Sequence, residues 1–299
     1  MSRLLRSLLN VNRQLKIRRF GNVMSWSVNL RYLVYDLLIA VNNRRRSPVG
    51  DASTVAQAST LRTQGFAIID DYAGSDFMRG MAGEVNRLLA EPERYDASIA
   101  ALGIHRLRDS CVQVESAATV PLLPRVAEVL HAYFGGPYGI YSSDIYRTFP
   151  VPEDSTERLE SLKWHFDNGP RNMVKLFVYL SDTQKDSGAV TVAPRAVSAR
   201  QTRQGRYFRD DLEVHADEIT SQAQVVEGAL GTILLFTPQL NAHKATLPLR
   251  NHRDAAVFLI HPVLAPRPVV SEADRRAISN NFGYMVDPFR WKPLRVGDQ

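Results

Sequence analysis

The texture of the chain changes at Gly135-Gly136-Pro137. Beyond that point, residues 138–149, 174–181, 189–193, 223–227, 231–236 and 255–263 are short runs rich in β-branched and aromatic residues, separated by Gly, Pro, Asp and Ser. A series of short strands after an earlier helical section is the pattern of a barrel or jelly roll with helices packed outside. The expected fold class is therefore mostly β with flanking helices (α+β), built on a jelly-roll core. No internal repeat is present.

The helical section has readable boundaries. A folded unit is expected to start near Thr54. Leu61 to Asp71 reads as a helix end, Gly65 as its cap, then a short strand over Phe66–Ile69. Ser75 or Asp76 can cap the next helix, whose Phe77, Met81, Val85, Leu88 and Leu89 form one apolar stripe that stops at Glu91-Pro92. A further helix is expected from about Val120 to Phe134. Three segments follow from this: a basic helical extension over 1–50, the folded domain over 51–264, and a Pro-containing surface tail over 265–299. The one cysteine, Cys111, excludes an intrachain disulfide and is expected to be buried and inert.

Charge is unevenly spread. Residues 1–50 carry ten Lys and Arg against one acid, Asp36, a net +9 in a chain whose total is +6. Residues 1–22 alternate Leu and Arg at near-helical spacing, as a basic amphipathic helix does. Residues 23–41 are apolar, but Arg31 and Asp36 interrupt the run at mid-length, where charge in a membrane span is costly. An interfacial or core-docked helix is expected there, not a transmembrane one. No secretory signal pattern is present. The expected location is cytoplasmic, with peripheral attachment of residues 1–46 to an anionic membrane at its inner face. A helix docked on the domain with its arginines in water is the other reading. No nucleic-acid recognition motif accompanies the charge.

The chemistry centres on Trp164-His165-Phe166-Asp167. Residues i and i+2 of a strand share a face, so His165 and Asp167 present an imidazole and a carboxylate side by side. Those are two of the three ligands of a 2-His-1-carboxylate iron site. Further on, the strand Thr232–Phe236 enters a turn, His243 follows, and Arg253 opens the next apolar strand. The segments 60–72 (TLRTQGFAIIDDY), 163–169 (KWHFDNG), 175–194 (KLFVYLSDTQKDSGAVTVAP) and 231–236 with His243 and Arg253 follow in order. Together they resemble the iron(II)/2-oxoglutarate dioxygenases, and more closely their phytanoyl-CoA dioxygenase-like branch, over roughly residues 55–264. The resemblance implies a double-stranded β-helix (jelly roll, cupin-like). It also implies His165, Asp167 and His243 as ligands of Fe(II), with 2-oxoglutarate as co-substrate and O2 as oxidant. It further implies hydroxylation of an unactivated C–H coupled to formation of succinate and CO2. Halogenating relatives lack the carboxylate that stands here as Asp167.

The far carboxylate of 2-oxoglutarate needs a fixed cation, and arginine offers a planar fork for it. Arg253, at the start of a strand that can aim it inward, is preferred to Arg250, which follows Pro248 in a loop. Lys175, inside an apolar strand, is read either as a lumen-facing contact to co-substrate or substrate or as a snorkelling edge lysine. Tyr146 and Thr232 are further candidates for hydrogen bonds in the pocket. His105, His131, His215, His252 and His261 are read as structural. The arginine-rich stretch 198–216 is read as a solvated loop or a basic mobile lid. Two departures from the resemblance, Arg195-Ala196-Val197 after Pro194 and Ala245 two positions after His243, bear on the substrate pocket. The substrate class expected is a small molecule, a lipid or a lipid-linked sugar. A non-catalytic jelly-roll binding module and a 2-oxoglutarate-independent cupin-type metalloenzyme are the competing readings.

Overall fold

The computed structural model describes residues 24–43, 50–95, 97–100, 102–151 and 160–264, with positions 12, 15 and 16. Those three positions apart, the expected basic helix over 1–22 and the tail over 265–299 lie outside the described residues.

Among the described residues, nine strands form two sheets. They are β1 (Phe66–Ile69), β2 (Ile104–Arg108), β3 (Tyr138–Thr148), β4 (Val174–Tyr179), β5 (Val190–Val192), β6 (Gln224–Val226), β7 (Ile233–Phe236), β8 (His243–Lys244) and β9 (Arg253–Pro262). The larger sheet has the order β1-β7-β4-β9-β3-β2 and the smaller β6-β5-β8, with antiparallel pairing throughout. Isolated bridges at His165–His243, Thr183–Gly228 and Ser187–Pro248 extend the smaller sheet. Two facing antiparallel sheets of this kind make a double-stranded β-helix.

Alternation along the strands shows why their sequences read as continuous apolar runs. On β4, Val174, Leu176 and Val178 point outward and share a core cluster with Met81, Val85 and Val129 from the helices. Phe177 and Tyr179 point inward and pack with Val190, Val192 and Leu234 between the sheets. Tyr179 also ties the sheets together. Its hydroxyl donates to the Val226 carbonyl at 2.6 Å and accepts from the Val190 N–H at 3.1 Å.

Four helices cover the outer face: α1 (Trp26–Asn43), α2 (Ala52–Thr63), α3 (Asp76–Leu89) and α4 (Pro124–Phe134). Their ends follow capping rules. The Asp51 carboxylate accepts from the Thr54 N–H at 2.7 Å, Ser75 caps α3, and α4 stops at Gly135 with φ +70°. Residues 23–41 were expected to be an interfacial or core-docked helix, and α1 docks one side on the domain. Its Tyr32 and Tyr35 rings lie 5.8 and 6.0 Å from the His261 ring, and Asn42 Nδ2 donates to the Leu264 carbonyl at 2.9 Å. No helix among the described residues is long and apolar enough to cross a membrane.

The stretch read as a loop or lid is instead three short helices, α5 (Arg195–Arg203), α6 (Arg209–Glu213) and α7 (Ala216–Thr220). Val197, Tyr207, Leu212 and Ile219 bury themselves against Trp164 and Phe166. Those two side chains alternate with His165 and Asp167 and so face away from the site. Arg200 and Arg206 pair with Glu218, and Arg209 pairs with Glu160. The stretch is a buttress behind the site, and none of its residues lines the cavity.

Candidate metal centre

Three local features bring the ligands together. His165 and His243 form a hydrogen-bonded antiparallel pair: each backbone N–H donates to the other's carbonyl, at 3.1 and 3.0 Å. Directly opposed residues of such a pair present their side chains on one face. Asp167, two residues beyond His165, returns to that face, and its N–H is held by the Pro238 carbonyl at 2.9 Å.

The backbone also sets the histidine tautomers. His165 Nδ1 lies 2.8 Å from the Lys163 carbonyl and His243 Nδ1 lies 3.1 Å from the Asn241 carbonyl. A carbonyl only accepts, so each Nδ1 carries the proton and each Nε2 offers a lone pair. Both Nε2 atoms face Asp167 Oδ1, at 3.6 and 3.5 Å. His243 Nε2 is buried with no hydrogen-bond partner among the described residues. Cis ligands about 2.1 Å from a metal sit about 3.0 Å apart, so the observed spacings are close to one face of an octahedron. One ligand atom from each of the three residues lies within 4.8 Å of the others. The residues therefore fit a divalent transition metal.

The electrostatics agree. Burial, reinforced by the neighbouring His243, pushes the His165 imidazole down to about 3, which keeps it neutral and able to ligate. Burial alone would raise the Asp167 carboxyl. The Lys175 ammonium, 2.5 Å from its Oδ2, outweighs this and holds it well below the usual carboxylate range. Lys175 thus faces inward from a central strand between β7 and β9, and is not an edge lysine.

A cavity of about 240 Å³ opens from His165 and His243, lined by Phe177, Phe236, Val257, Ile104, Leu162 and Leu247 with Tyr146, Thr148, Lys175 and Arg253. Arg253 is 6% exposed. It donates to the Gly188 carbonyl and to Thr148 Oγ1, and its guanidinium lies 5.7 Å from the Phe177 ring centre. Its Nε has no hydrogen-bond partner, and no carboxylate pairs with it among the described residues. Burial pushes its pKa down from the ordinary guanidinium value. Arg250 is exposed.

Tyr146 lines the cavity and its hydroxyl donates to Asp144 at 3.3 Å. Burial raises its pKa. Thr232 is buried but is not among the lining residues. Its N–H closes a turn on the Ala229 carbonyl, at the end of β7 away from Phe236. The fixed groups that sequence reading did not reach are backbone ones. The Asn241 carbonyl orients His243. The Asn241 side chain is itself held by Gln64, Ala193 and Thr237 at 3.0, 2.8 and 2.7 Å. Gly65 matters for the same reason: its φ is +83°, and a Cβ there would collide with Asn241.

The sequence matches no protein-family model and no curated protein. Solved structures do match. The non-heme alpha ketoglutarate-dependent epimerase SnoN from nogalamycin biosynthesis superposes with a TM-score of 0.56 at 16% identity, over 83% of this chain and 97% of that one. The carbocyclase SnoK from the same biosynthesis gives 0.56 at 17%, over 84% and 100%. EctD from S. alaskensis with bound Fe gives 0.55 at 16%, over 84% and 88%. The chain shares their fold.

Proposed function

We propose that this chain is a non-haem iron(II)- and 2-oxoglutarate-dependent oxygenase that hydroxylates an unactivated C–H bond. The observation that carries the reading is the convergence of three open ligand atoms, His165 Nε2, His243 Nε2 and Asp167 Oδ1, from segments far apart in sequence. The structures with this fold described as alpha ketoglutarate dependent or iron-bound support it. Bound iron(II) would supply O2 activation, with 2-oxoglutarate and O2 giving succinate and CO2 as one oxygen atom enters the substrate C–H.

The chain's own residues do the rest. Lys175 holds Oδ2 of Asp167, which leaves Oδ1 facing the imidazoles. Arg253 offers a buried, uncompensated fork at the distance of one side-chain row along β4, suited to the far carboxylate of 2-oxoglutarate. Phe177, Phe236 and Val257 keep the cavity wall apolar and exclude water from the reacting centre. That wall suits an apolar substrate segment, such as part of a lipid or lipid-linked sugar.

The test is release of succinate from 2-oxoglutarate by purified protein with Fe(II), screened against lipids, lipid-linked sugars and small metabolites. Full substrate-coupled turnover by His165→Ala or Asp167→Ala would overturn the proposal. Tight one-to-one metal uptake without any 2-oxoglutarate binding would instead favour a cupin-type metalloenzyme.

A further inference from the structure

Helix α1 is apolar on both sides, and the domain uses one of them. Val28, Tyr32, Tyr35 and Ile39 are buried against it. The opposite side carries Trp26, Leu30, Leu33, Val34, Leu37, Leu38 and Val41, each 43–60% exposed. At 100° per residue these seven occupy one arc of about 140°. They are most of the large apolar side chains that the described residues leave exposed. Trp26 keeps its ring nitrogen satisfied at one edge, donating to Asn12 Oδ1 at 2.8 Å. The helix is anchored in this orientation from behind, through the Tyr32 and Tyr35 contacts to His261 and the Asn42 bond to the Leu264 carbonyl.

Charge identifies what such a face would meet. Arg3, Arg6, Arg13, Lys16, Arg18 and Arg19 precede the helix in sequence and Arg44-Arg45-Arg46 follow it. Arg31 lies exposed at the border of the apolar arc. The one acid in the first fifty residues, Asp36, sits on the docked side, 4.0 Å from His261. A second copy of the chain would bring the same +9 against this surface. Residues 265–299 carry six Lys and Arg against four acids, so they offer no complementary charge either. An anionic lipid surface complements both the apolar arc and the flanking arginines.

We propose that the Trp26–Val41 face of α1 is a membrane-docking surface that lies in the headgroup region of an anionic bilayer, to which the net positive charge of the first fifty residues draws it. The helix lies on the bilayer and does not cross it. Each arginine near such a surface strengthens binding about fivefold. The inference stands independently of the metal centre, and its test needs no activity.

Full-length protein is centrifuged with phosphatidylcholine vesicles, with and without roughly one-third phosphatidylglycerol, at low and high salt. The protein is expected to sediment with the anionic vesicles and to be released by salt. Leu33→Asp with Leu37→Asp is expected to weaken that binding at least about tenfold without lowering the unfolding temperature, since both side chains face outward. Arg44→Ser, Arg45→Ser and Arg46→Ser together should weaken it on anionic vesicles alone. If the first variant fails to fold, Leu30→Ser with Val41→Ser replaces it. Three results would overturn the proposal. One is equal binding to neutral and anionic vesicles. Another is undiminished binding by the apolar-face variant. The third is a lipid-free dimer that this variant dissociates while neither protein binds vesicles, which would make the face an interface between copies.

Discussion

Arg253→Met isolates the role of the one buried guanidinium in the cavity. In the folded chain that group has two hydrogen bonds, to the Gly188 carbonyl and Thr148 Oγ1, and no paired carboxylate among the described residues. A carboxylate arriving from 2-oxoglutarate would form charge-assisted bonds inside a dry site. Losing one partner of such a pair costs about 3–5 kcal/mol. At 1.4 kcal/mol per decade, the dissociation constant for 2-oxoglutarate should rise roughly a hundred- to several-thousandfold. Metal affinity should stay within about threefold, because no ligand atom is touched.

Stability should change little. Removing the guanidinium relieves its desolvation but leaves two acceptors short of a donor, at about 1–3 kcal/mol each, and these effects oppose one another. A purely structural arginine would behave differently, with a clear loss of stability and no selective loss of co-substrate binding. The assay is calorimetric titration of 2-oxoglutarate into the Mn(II)-loaded protein without O2, beside urea unfolding of the metal-free protein. Arg250→Met is the exposed control and should change neither. Unchanged 2-oxoglutarate affinity in Arg253→Met would refute the assignment.

Three further perturbations follow from individual contacts. Lys175→Met removes the 2.5 Å partner of Asp167, so the metal-free protein should lose about 1–3 kcal/mol of stability. Saturating divalent metal should restore most of that loss in thermal unfolding, because it binds the folded state alone; equal destabilisation with and without metal would count against the contact. Asp36 is raised to about 6, chiefly by burial, so the folded state holds its proton more tightly than the unfolded chain, and stability is lost as pH rises through 6. Asp36→Asn should therefore stabilise by about 2–3 kcal/mol at pH 8, with the gain vanishing below about pH 4; an equal gain at both pH values in urea unfolding would contradict this. Gly65→Ala forces a Cβ into Asn241, and should cost about 2–4 kcal/mol and weaken metal binding by disturbing His243. Unfolding and metal titration of one preparation check both effects, and unchanged metal affinity would separate Asn241 from the site.

β4, β7 and β9 were legible because each is buried on both faces and stands out as an apolar run bounded by turn residues. β2 carries no such signal, because Ile104–Arg108 at the sheet edge holds only two apolar residues among His105, Arg106 and Arg108, and β8 is only two residues long. His165 and Asp167 could be paired from local spacing alone. His243 could be added only through the resemblance, since the bridge joining it to His165 is a long-range contact that no local pattern encodes. Thr232 and Phe236 lie on one strand face, yet β7 carries Phe236 to the cavity and leaves Thr232 at the closed end. The arginines of 198–216 read as a solvated loop or lid because no local pattern pairs them with Glu218 and Glu160 or reveals the Trp164 surface that their helices cover. Asn241 was invisible for another reason: its contribution to His243 is a backbone carbonyl, which carries no residue signature.

Three side chains binding one metal ion would carry the proposed activity. Anaerobic calorimetric titration of metal-stripped protein with Fe(II) tests this directly. The prediction is a single site, with affinity reduced at least about a hundredfold in each of His165→Ala, Asp167→Ala and His243→Ala while the variants stay folded. Metal uptake by His243→Ala as tight as that of the unsubstituted protein would contradict it.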